Sequence, residues 1–456
     1  MLGNVATSAV AFLVALGILI AIHEYGHFWV ARRVGIKVLR YSIGFGRPLW
    51  KRTGRVDGTE YVLAAIPLGG YVKMLDEREG PVAAGERDRA FNVQPLSARA
   101  AVVIAGPLAN FALAILAYWI VLMIGISGVA PLIGAPEAGS AAARAGFAHE
   151  DRLVAVAGVE TPTWADARIA LLEASLDAEG EVPIEVEPAG GGREVRRLAI
   201  DSTAMLAADG DAVRNLGFTQ WWPDVPPTVG EVVGGGAAER AGLVPGDLIE
   251  RVDGAPVATW RELVAAVRPR AGEEIALEVR RAGEALRLAI VPEPVEANGR
   301  TIGRIGIVET AAEGLAARAE VTVREPPLEA LAGAVARTWS MSVLTLRMLG
   351  KLVVGEASLD NVSGPISIAQ FAGQSASVGI DHYLNFMALI SISLAVLNLL
   401  PVPMLDGGHL LYFAIEAVRG RPLSERAQIV GQQIGIVALG GLMFLAFYND
   451  IGRLLG

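Results

Sequence analysis

Three ionisable residues, His23, Glu24 and His27, lie within one otherwise apolar stretch, IAIHEYGHFWV. Residues four apart share one face of a helix, so the two imidazoles can bind a single metal ion. Glu24 follows the first histidine and can accept a proton from a metal-bound water that attacks a peptide carbonyl. In a soluble helix, the same H-E-x-x-H pattern is often a set of ordinary exposed residues. Inside an apolar run, each charged group costs about 2.5–3.5 kcal/mol, which favours the metal site.

A catalytic zinc site needs a third protein ligand and keeps one coordination position open for water. The sequence has no cysteine, so the ligand must be His, Asp or Glu. The stretch NLLPVPMLDGGH, residues 398–409, offers Asp406 and His409. Pro401 and Pro403 predict the end of a helix, and the two following glycines allow a tight turn that presents Asp406 from irregular backbone. Spacing alone leaves both ligands possible, and an Asp–Gly pair is also common in plain turns.

Composition indicates a membrane part combined with soluble domains. The 456 residues are 53% hydrophobic and 19% charged, and the mean hydropathy is +0.45. Such a chain is too apolar for an ordinary soluble protein and too charged for membrane spans alone. The net charge of −9 argues against a nucleic-acid partner.

Four segments are long and apolar enough to cross a bilayer, which takes about 20 residues. They are residues 5–30, 100–126, 384–400 and 429–447. No basic residue precedes the first segment and no small-residue cleavage site ends it, so we expect a retained anchor and not a signal peptide. Basic residues between the first two spans, and between the last two, predict that both loops are cytoplasmic. In a bacterium the long loop between spans two and three is then periplasmic.

The long loop contains an internal repeat. Residues 142–164 match residues 238–260 without a gap, which predicts two copies of one small domain. In the second copy, DLIERVDG has strand character, TWRELVAAVR is helical with Thr259 as its cap, and a hairpin turn is expected at residues 282–283. The pattern AGLVPGDLIERVDG resembles PDZ domains, and the first copy departs from it at residues 149–150.

We expect five parts along the chain. Residues 328–352 carry apolar side chains at helical spacing, but Arg337 and Arg347 interrupt them, which favours an amphipathic helix on the membrane surface over a fifth span. The predicted parts are an N-terminal membrane part with the metal motif, two PDZ-like domains, a surface-helix region and a C-terminal membrane part. They comprise residues 1–126, 127–221, 222–316, 317–383 and 384–456.

Five further motifs are HEYGH at 23–27, PLGGYVKM at 67–74, GPLAN at 106–110, SGPISIA at 363–369 and NLLPVPMLDGG at 398–408. With them and the repeat, nearly the whole chain resembles the site-2 protease family of intramembrane zinc metalloproteases, in particular its members with tandem PDZ domains. The resemblance implies a polytopic α-helical membrane protein with four transmembrane helices, a re-entrant β-loop and two periplasmic PDZ-like α/β domains.

The resemblance also implies roles for the residues of the metal motif. His23, His27 and Asp406 match the family's zinc ligands, and Glu24 matches its catalytic base. The match favours Asp406 over His409 as the third ligand of Zn²⁺.

Substrate contact is predicted at a strand edge. A helical peptide bond is shielded by its own turn, so a membrane-embedded substrate must unwind and pair its freed backbone groups again. Residues 59–75, which include Gly69 and Gly70, have the composition of a strand that offers such an edge. The resemblance implies a re-entrant loop here, whereas the sequence pattern alone equally allows a cytoplasmic hairpin.

The resemblance also suggests that Asn398 binds the substrate. A lone Asn in a span, such as Asn398 or Asn110, is equally suited to packing against a neighbouring helix.

The leading hypothesis is an intramembrane zinc endopeptidase, surrounded by lipid in the bacterial inner membrane, with its active site near the cytoplasmic side. The resemblance implies a single-span substrate such as an anti-sigma factor in a stress response, and remnant signal peptides as a second class. The PDZ-like pair would be a periplasmic gate.

The alternative is a non-catalytic PDZ adaptor whose structural metal has a fourth protein ligand and no neighbouring base. A zinc transporter is a weaker option because no second intramembrane ligand set is visible, and the oligomeric state is left open.

Overall fold

The computed structural model describes residues 2–177, 180–200, 212–222, 224–297, 300–309, 319–356, 359 and 362–455. The chain divides into two compact units. The membrane unit combines Met1–Ser127 with Thr322–Leu454, and the loop unit comprises Gly128–Asp201 and Asp211–Val321. The five-part division expected from the sequence stays a prediction.

Within the described residues, long helices dominate the membrane unit and short strands dominate the loop unit. The helices, numbered in chain order, are α1 (Leu2–Arg33), α2 (Leu96–Ile124), α3 (Ala141–Arg144), α4 (Trp164–Asp177), α5 (Ala212–Asn215), α6 (Ala237–Arg240), α7 (Trp260–Val267), α8 (Pro327–Val354), α9 (Pro365–Val378), α10 (Ile380–Leu399), α11 (Asp406–Arg419) and α12 (Glu425–Leu455). The strands are β1 (Val38–Thr53), β2 (Glu60–Met74), β3 (Ile126–Val129), β4 (Arg152–Val156), β5 (Val159–Glu160), β6 (Glu181–Glu187), β7 (Glu194–Ala199), β8 (Val229–Val232), β9 (Leu248–Val252), β10 (Ala255–Pro256), β11 (Ile275–Arg281), β12 (Glu284–Ile290), β13 (Glu293–Ala297), β14 (Arg300–Arg304), β15 (Ile307–Glu309) and β16 (Glu320–Val323).

Four of the described helices, α1, α2, α10 and α12, are long and apolar enough to cross a membrane. They match the four predicted spans and indicate a membrane protein. Each helix begins earlier in the chain than its apolar segment, and α12 continues past residue 447 to Leu455. Polar residues are tolerated at the ends of a spanning helix, so hydropathy marks only its central part.

The strands β1 and β2 form one sheet in the membrane unit. Residues 40–43 of β1 pair with residues 70–73 of β2 on one side and with residues 60–63 on the other. Both strands therefore bend back on themselves, and Gly44 and Gly46 adopt positive φ angles of 89° and 84° in the bend of β1. Within the described part of the chain, residues 70–73 pair with β1 on one side and with no strand on the other, so they form one edge of the sheet.

Helix α8 confirms a helix in the segment predicted to be amphipathic and shows which face is buried. Its buried face consists of small or flexible residues, among them Ala330, Ala334 and Met341. The larger apolar row that was expected to define the amphipathic face, including Val335 and Trp339, is exposed. An apolar row that the protein leaves uncovered suits contact with lipid, but the location of α8 at the membrane surface stays a prediction.

The motif SGPISIA begins α9 and is held by the carboxylate of Asp450 from α12. This carboxylate accepts hydrogen bonds from the backbone N–H groups of Gly364, Ile366 and Ser367 at 3.0, 2.9 and 3.2 Å. It also accepts the hydroxyl of Ser367 at 2.6 Å. The first N–H groups of a helix have no partner within the helix, so a carboxylate from another helix stabilises this end. The contact attaches the last span to α9.

The loop unit contains two four-stranded sheets with the same strand order. The first is ordered β5-β4-β6-β7 and the second β10-β9-β11-β12. In the second, Thr259 caps α7 by accepting the N–H of Glu262, and the turn between β11 and β12 falls at Ala282 and Gly283, as predicted. The shared strand order supports two copies of one fold.

The repeat extends to backbone conformation and to one buried carboxylate. Glu150 has a φ of 65° at the position where the second copy has Gly246 with a φ of 92°. The sequence difference at this position therefore does not change the backbone turn. The equivalent residues Asp151 and Asp247 each accept the backbone N–H of the residue three positions earlier and bind an arginine.

Replacing Asp247 with Asn is expected to destabilise the loop unit by about 1–3 kcal/mol, because it removes the charge of a buried carboxylate that accepts two hydrogen bonds from Arg281. The loss is smaller than for a fully buried ion pair, since the side chain of Arg281 is 35% exposed and water screens the attraction. The guanidinium of Arg281 holds the pKa of Asp247 below its usual range. The contribution of this pair is therefore present at neutral pH and is lost as the pH falls through the lowered folded-state value. Urea-dependent pulse proteolysis of the detergent-solubilised full chain measures the change. Glu250→Gln, at an exposed ion pair with Arg280, should change stability by less than about 1 kcal/mol, and equal effects of both variants would contradict the prediction.

Candidate active site

Helix α1 presents the two histidines of the HEYGH motif on one face. The imidazole rings of His23 and His27 lie with their centroids 4.9 Å apart, and the residues are only 9% and 8% exposed. Their Nε2 atoms are 3.3 Å apart. The i, i+4 spacing has therefore produced the expected pair of converging nitrogen ligands.

Asp406 meets these histidines from the other end of the chain. Its Oδ2 atom lies 3.3 Å from Nε2 of His23 and 3.5 Å from Nε2 of His27. The three residues form a group whose ligand atoms lie within 4.8 Å of one another. The competing candidate, His409, is not a member of this group; its ring packs edge-on against Tyr412.

The backbone around Asp406 differs from the expected tight turn. Helix α10 ends at Leu399, and Asp406 is the first residue of α11. Gly407 and Gly408 lie in the first turn of α11, where a Cβ atom would be 2.1 Å from the carbonyl oxygen of Leu400 or 2.4 Å from that of Val402. The glycines thus allow a close approach of α11 to the preceding chain, and the prediction of irregular backbone at Asp406 itself was wrong.

The donor set fits a zinc ion. In a tetrahedral site with ligands about 2.0–2.1 Å from zinc, neighbouring ligand atoms lie about 3.3–3.5 Å apart. The distances among the two Nε2 atoms and Oδ2 of Asp406 are 3.3, 3.3 and 3.5 Å. Among the described residues, Oδ2 of Asp406 is also buried without a hydrogen-bond partner, and coordination to a cation would satisfy this oxygen. Two imidazoles and one carboxylate leave the fourth position of a catalytic zinc site open.

Helix α2 packs directly against this group. Nδ1 of His27 lies 2.8 Å from the carbonyl oxygen of Val102, and Nδ1 of His23 lies 3.2 Å from the side-chain amide of Asn110. Between these two contacts, a Cβ atom on Gly106 would lie only 2.2 Å from Nε2 of His27. From the sequence, Asn110 was expected to pack against a neighbouring span, and the family resemblance placed its motif near the active site, but its contact with His23 was not predicted. The spacing of four between the Gly and the Asn of GPLAN, inside an apolar helix, was the available signal.

The β1–β2 sheet contacts α1 beside Glu24. A Cβ atom on Gly70 would lie 2.8 Å from Cγ of Glu24, so the edge of the sheet touches this side chain. The hydroxyl of Tyr41 donates to the carbonyl oxygen of Ala21 at 2.7 Å. Gly69 has a φ of 151°, and a Cβ there would lie 2.4 Å from the ring of Phe45.

An ion pair fixes α11 to α2. The guanidinium of Arg99 donates to both carboxylate oxygens of Glu416, at 2.6 and 3.2 Å, and lies over the ring of Phe413. Both side chains are largely buried. Since Asp406 and Glu416 belong to the same helix, this pair helps to hold Asp406 against the histidines.

Asn398, the predicted substrate ligand, lies on α10 and is partly buried. Its amide donates to the carbonyl oxygen of Leu394, one turn earlier in the same helix, at 3.0 Å. A contact within its own helix leaves the proposed substrate role of Asn398 a prediction.

Comparison with known proteins identifies the family. Residues 11–442 match the model of peptidase family M50. The chain is 46% identical over 445 residues to the regulator of sigma E protease of Salmonella typhi, covering 97% of this chain and 98% of that protein. It is 46% identical over 444 residues to the regulator of sigma-E protease RseP of Escherichia coli K12, with the same coverage, and 43% identical over 446 residues to a putative zinc metalloprotease of Vibrio cholerae, covering 98% of both chains. The chain therefore belongs to peptidase family M50, whose members are zinc-dependent proteases.

Proposed function

We propose that this protein is an intramembrane zinc endopeptidase in which His23, His27 and Asp406 bind the metal and Glu24 is the catalytic base. The observation that carries the proposal is the convergence of two imidazole nitrogens of α1, a candidate spanning helix, with one carboxylate oxygen of α11 at tetrahedral ligand spacing. Family membership supports the same chemistry.

The residues around the metal group account for amide hydrolysis. When bound, zinc activates a water molecule and polarises the scissile carbonyl. Glu24 follows His23 on α1, where its carboxylate accepts the proton of the attacking water and then gives it to the amine of the leaving strand. The buried ligands and the surrounding helices keep bulk water from the other faces of the site.

The edge of the β1–β2 sheet is proposed to hold the unwound substrate. Residues 70–73 have one unpaired side, and Gly70 lies against Glu24. An extended substrate strand can pair with this edge and restore the hydrogen bonds that it lost on unwinding. Large apolar residues of the β1–β2 region are exposed, which supports a re-entrant position in the membrane over a cytoplasmic hairpin. They are Phe45, Leu49, Trp50, Val56, Leu63 and Ile66.

Replacing Gly70 with Ala is expected to reduce cleavage by about 10–100-fold, because the added Cβ would lie 2.8 Å from both Glu24 and the backbone of Ser42. Zinc content should be unchanged, since the three atoms nearest to the added Cβ belong to Glu24, Ile20 and Ser42 and not to a proposed zinc ligand. Gly80→Ala is the matched control, because a Cβ there meets nothing within 4 Å. Cleavage by the Gly70 variant at the rate of this control would show that the close approach of the sheet edge to Glu24 is not needed for cleavage.

The names of the relatives and the membrane setting support one substrate class. Relatives are named regulators of sigma-E protease, so we propose an anti-sigma factor with one membrane span as the substrate, with remnant signal peptides as a second class. We place the protein in the bacterial inner membrane, with the loop unit in the periplasm. The two repeat copies are proposed to be PDZ-like domains that admit substrates whose outer domain has been removed.

A cleavage assay with two substrate lengths tests this function. The purified full chain in proteoliposomes receives a tagged single-span substrate either with or without its folded outer domain. We expect zinc-dependent cleavage of the short form and little cleavage of the long form. If the zinc-loaded protein binds the short form without cutting it, the non-catalytic adaptor is the correct assignment. Equal cleavage of both forms would contradict the gate alone.

A further inference from the structure

One face of α2 contacts both imidazoles of the metal group. Val102, Gly106 and Asn110 follow one another at intervals of four residues, so they share a side of the helix. The carbonyl oxygen of Val102 contacts His27, the amide of Asn110 contacts His23, and Gly106 lies between them. Each histidine therefore has its second ring nitrogen against a polar group of α2.

The contact of His27 determines its tautomer. A backbone carbonyl oxygen only accepts hydrogen bonds, so Nδ1 of His27 must carry the proton that is shared with Val102 at 2.8 Å. Nε2 then has a free lone pair, and this atom points towards Asp406. A neutral histidine binds a metal through the ring nitrogen that carries no proton, so a proton on Nδ1 leaves Nε2 as the ligand atom.

The contact of His23 with Asn110 determines which ring nitrogen of His23 carries the proton. Nδ2 of Asn110 lies 3.2 Å from Nδ1 of His23, while Oδ1 of Asn110 is buried without a hydrogen-bond partner. If Nδ2 donates to Nδ1, the proton of His23 is forced onto Nε2, the atom that lies 3.3 Å from Nε2 of His27 and 3.3 Å from Asp406. Rotating the amide by half a turn exchanges its oxygen and nitrogen. Oδ1 then accepts the N–H of Nδ1, and Nε2 is free for a metal.

We infer that Asn110 is a positioning residue that accepts the Nδ1–H of His23 and so presents Nε2 to the zinc ion. The inference rests on the proposed zinc site. Asn110 is fully buried, and its backbone carbonyl accepts the hydroxyl of Ser391 on α10 at 2.8 Å, so its place between three helices is fixed. Partners of this kind orient metal-binding histidines, and their loss weakens metal binding about 10–100-fold.

The test is the zinc affinity of the purified full chain in detergent, measured by competition with a chelator of known affinity. Asn110→Leu keeps the approximate shape but has no acceptor, and its dissociation constant for Zn²⁺ should rise about 10–100-fold. Asn110→Asp keeps an acceptor oxygen and should bind zinc at least as tightly as the wild type. Asn385→Leu, which removes another buried side-chain amide oxygen without a partner from a different span, is the matched control and should leave the affinity unchanged.

The outcomes separate this inference from the proposed function. A wild-type chain that does not bind zinc would overturn the zinc site itself. Wild-type affinity in Asn110→Leu would overturn only the role of Asn110. The unfolding temperature of each zinc-free variant reports whether it folds. If the Leu variant does not fold, the Asp variant decides: affinity within tenfold of the wild type supports the acceptor role, and weaker binding contradicts it.

Discussion

Substitution of Glu24 by Gln should lower the rate of substrate cleavage by about 10²–10⁴-fold, the contribution typical of a positioned general base. Gln has nearly the shape of Glu but cannot accept the proton of the attacking water. The zinc ligands are unchanged, so the variant should retain one zinc per chain and should still bind substrate. The measurement is single-turnover cleavage of a tagged single-span substrate in proteoliposomes, combined with metal analysis of the same preparation.

Tyr25→Phe provides the control for this substitution. Tyr25 is the next residue of α1, and its side chain is exposed on another face of the helix. Its variant should cleave at the wild-type rate. Undiminished cleavage by Glu24→Gln, with zinc still bound, would remove the base from the mechanism and with it the argument for a hydrolytic site.

Substitution of Asp406 by Ala should weaken zinc binding by more than about 100-fold, beyond the effect of losing a partner outside the ligand shell. Asp406 supplies the one oxygen of the three-residue group, and its loss leaves two imidazoles on a single helix. Cleavage should fall with the zinc content and recover partly when excess zinc is added. Equilibrium competition with a chelator measures the affinity.

The comparison variant for this experiment is His409→Ala, since His409 was the other candidate for the third ligand. His409 lies one turn after Asp406 on α11 but packs against Tyr412 and not in the metal group. His409→Ala should therefore bind zinc with nearly wild-type affinity. If His409→Ala lost zinc and Asp406→Ala kept it, the assignment of the third ligand would be reversed.

The features that depend on near neighbours in the chain were predictable from the sequence. The four spans were recognised from apolar runs, and the convergence of His23 and His27 follows from helical spacing alone. The repeat was also readable, because it preserves Asp151 and Asp247 at equivalent positions. The ends of the helices could not be predicted in this way, because a spanning helix continues into polar residues such as Asp450. A search for apolar segments does not include such residues.

Features that depend on distant contacts were recovered only where a motif marked them. Asp406 was identified through its motif and family resemblance, since spacing alone did not separate it from His409. Asn110 was missed as a partner of His23 because that contact depends on how α1 and α2 pack. The departure of the first copy from the PDZ-like pattern at Glu150 left its backbone open, and the structure shows Glu150 in the left-handed conformation that glycine favours. The strand β1 was not predicted, because its charged and apolar residues follow no regular alternation.

The measurement that tests the central claim most directly is zinc K-edge X-ray absorption of the purified full chain loaded with one equivalent of zinc. We expect nitrogen and oxygen ligands at about 2.0–2.1 Å, with the scattering of two imidazole rings. A spectrum without imidazole scattering, or with three imidazoles, would contradict a centre formed by His23, His27 and Asp406.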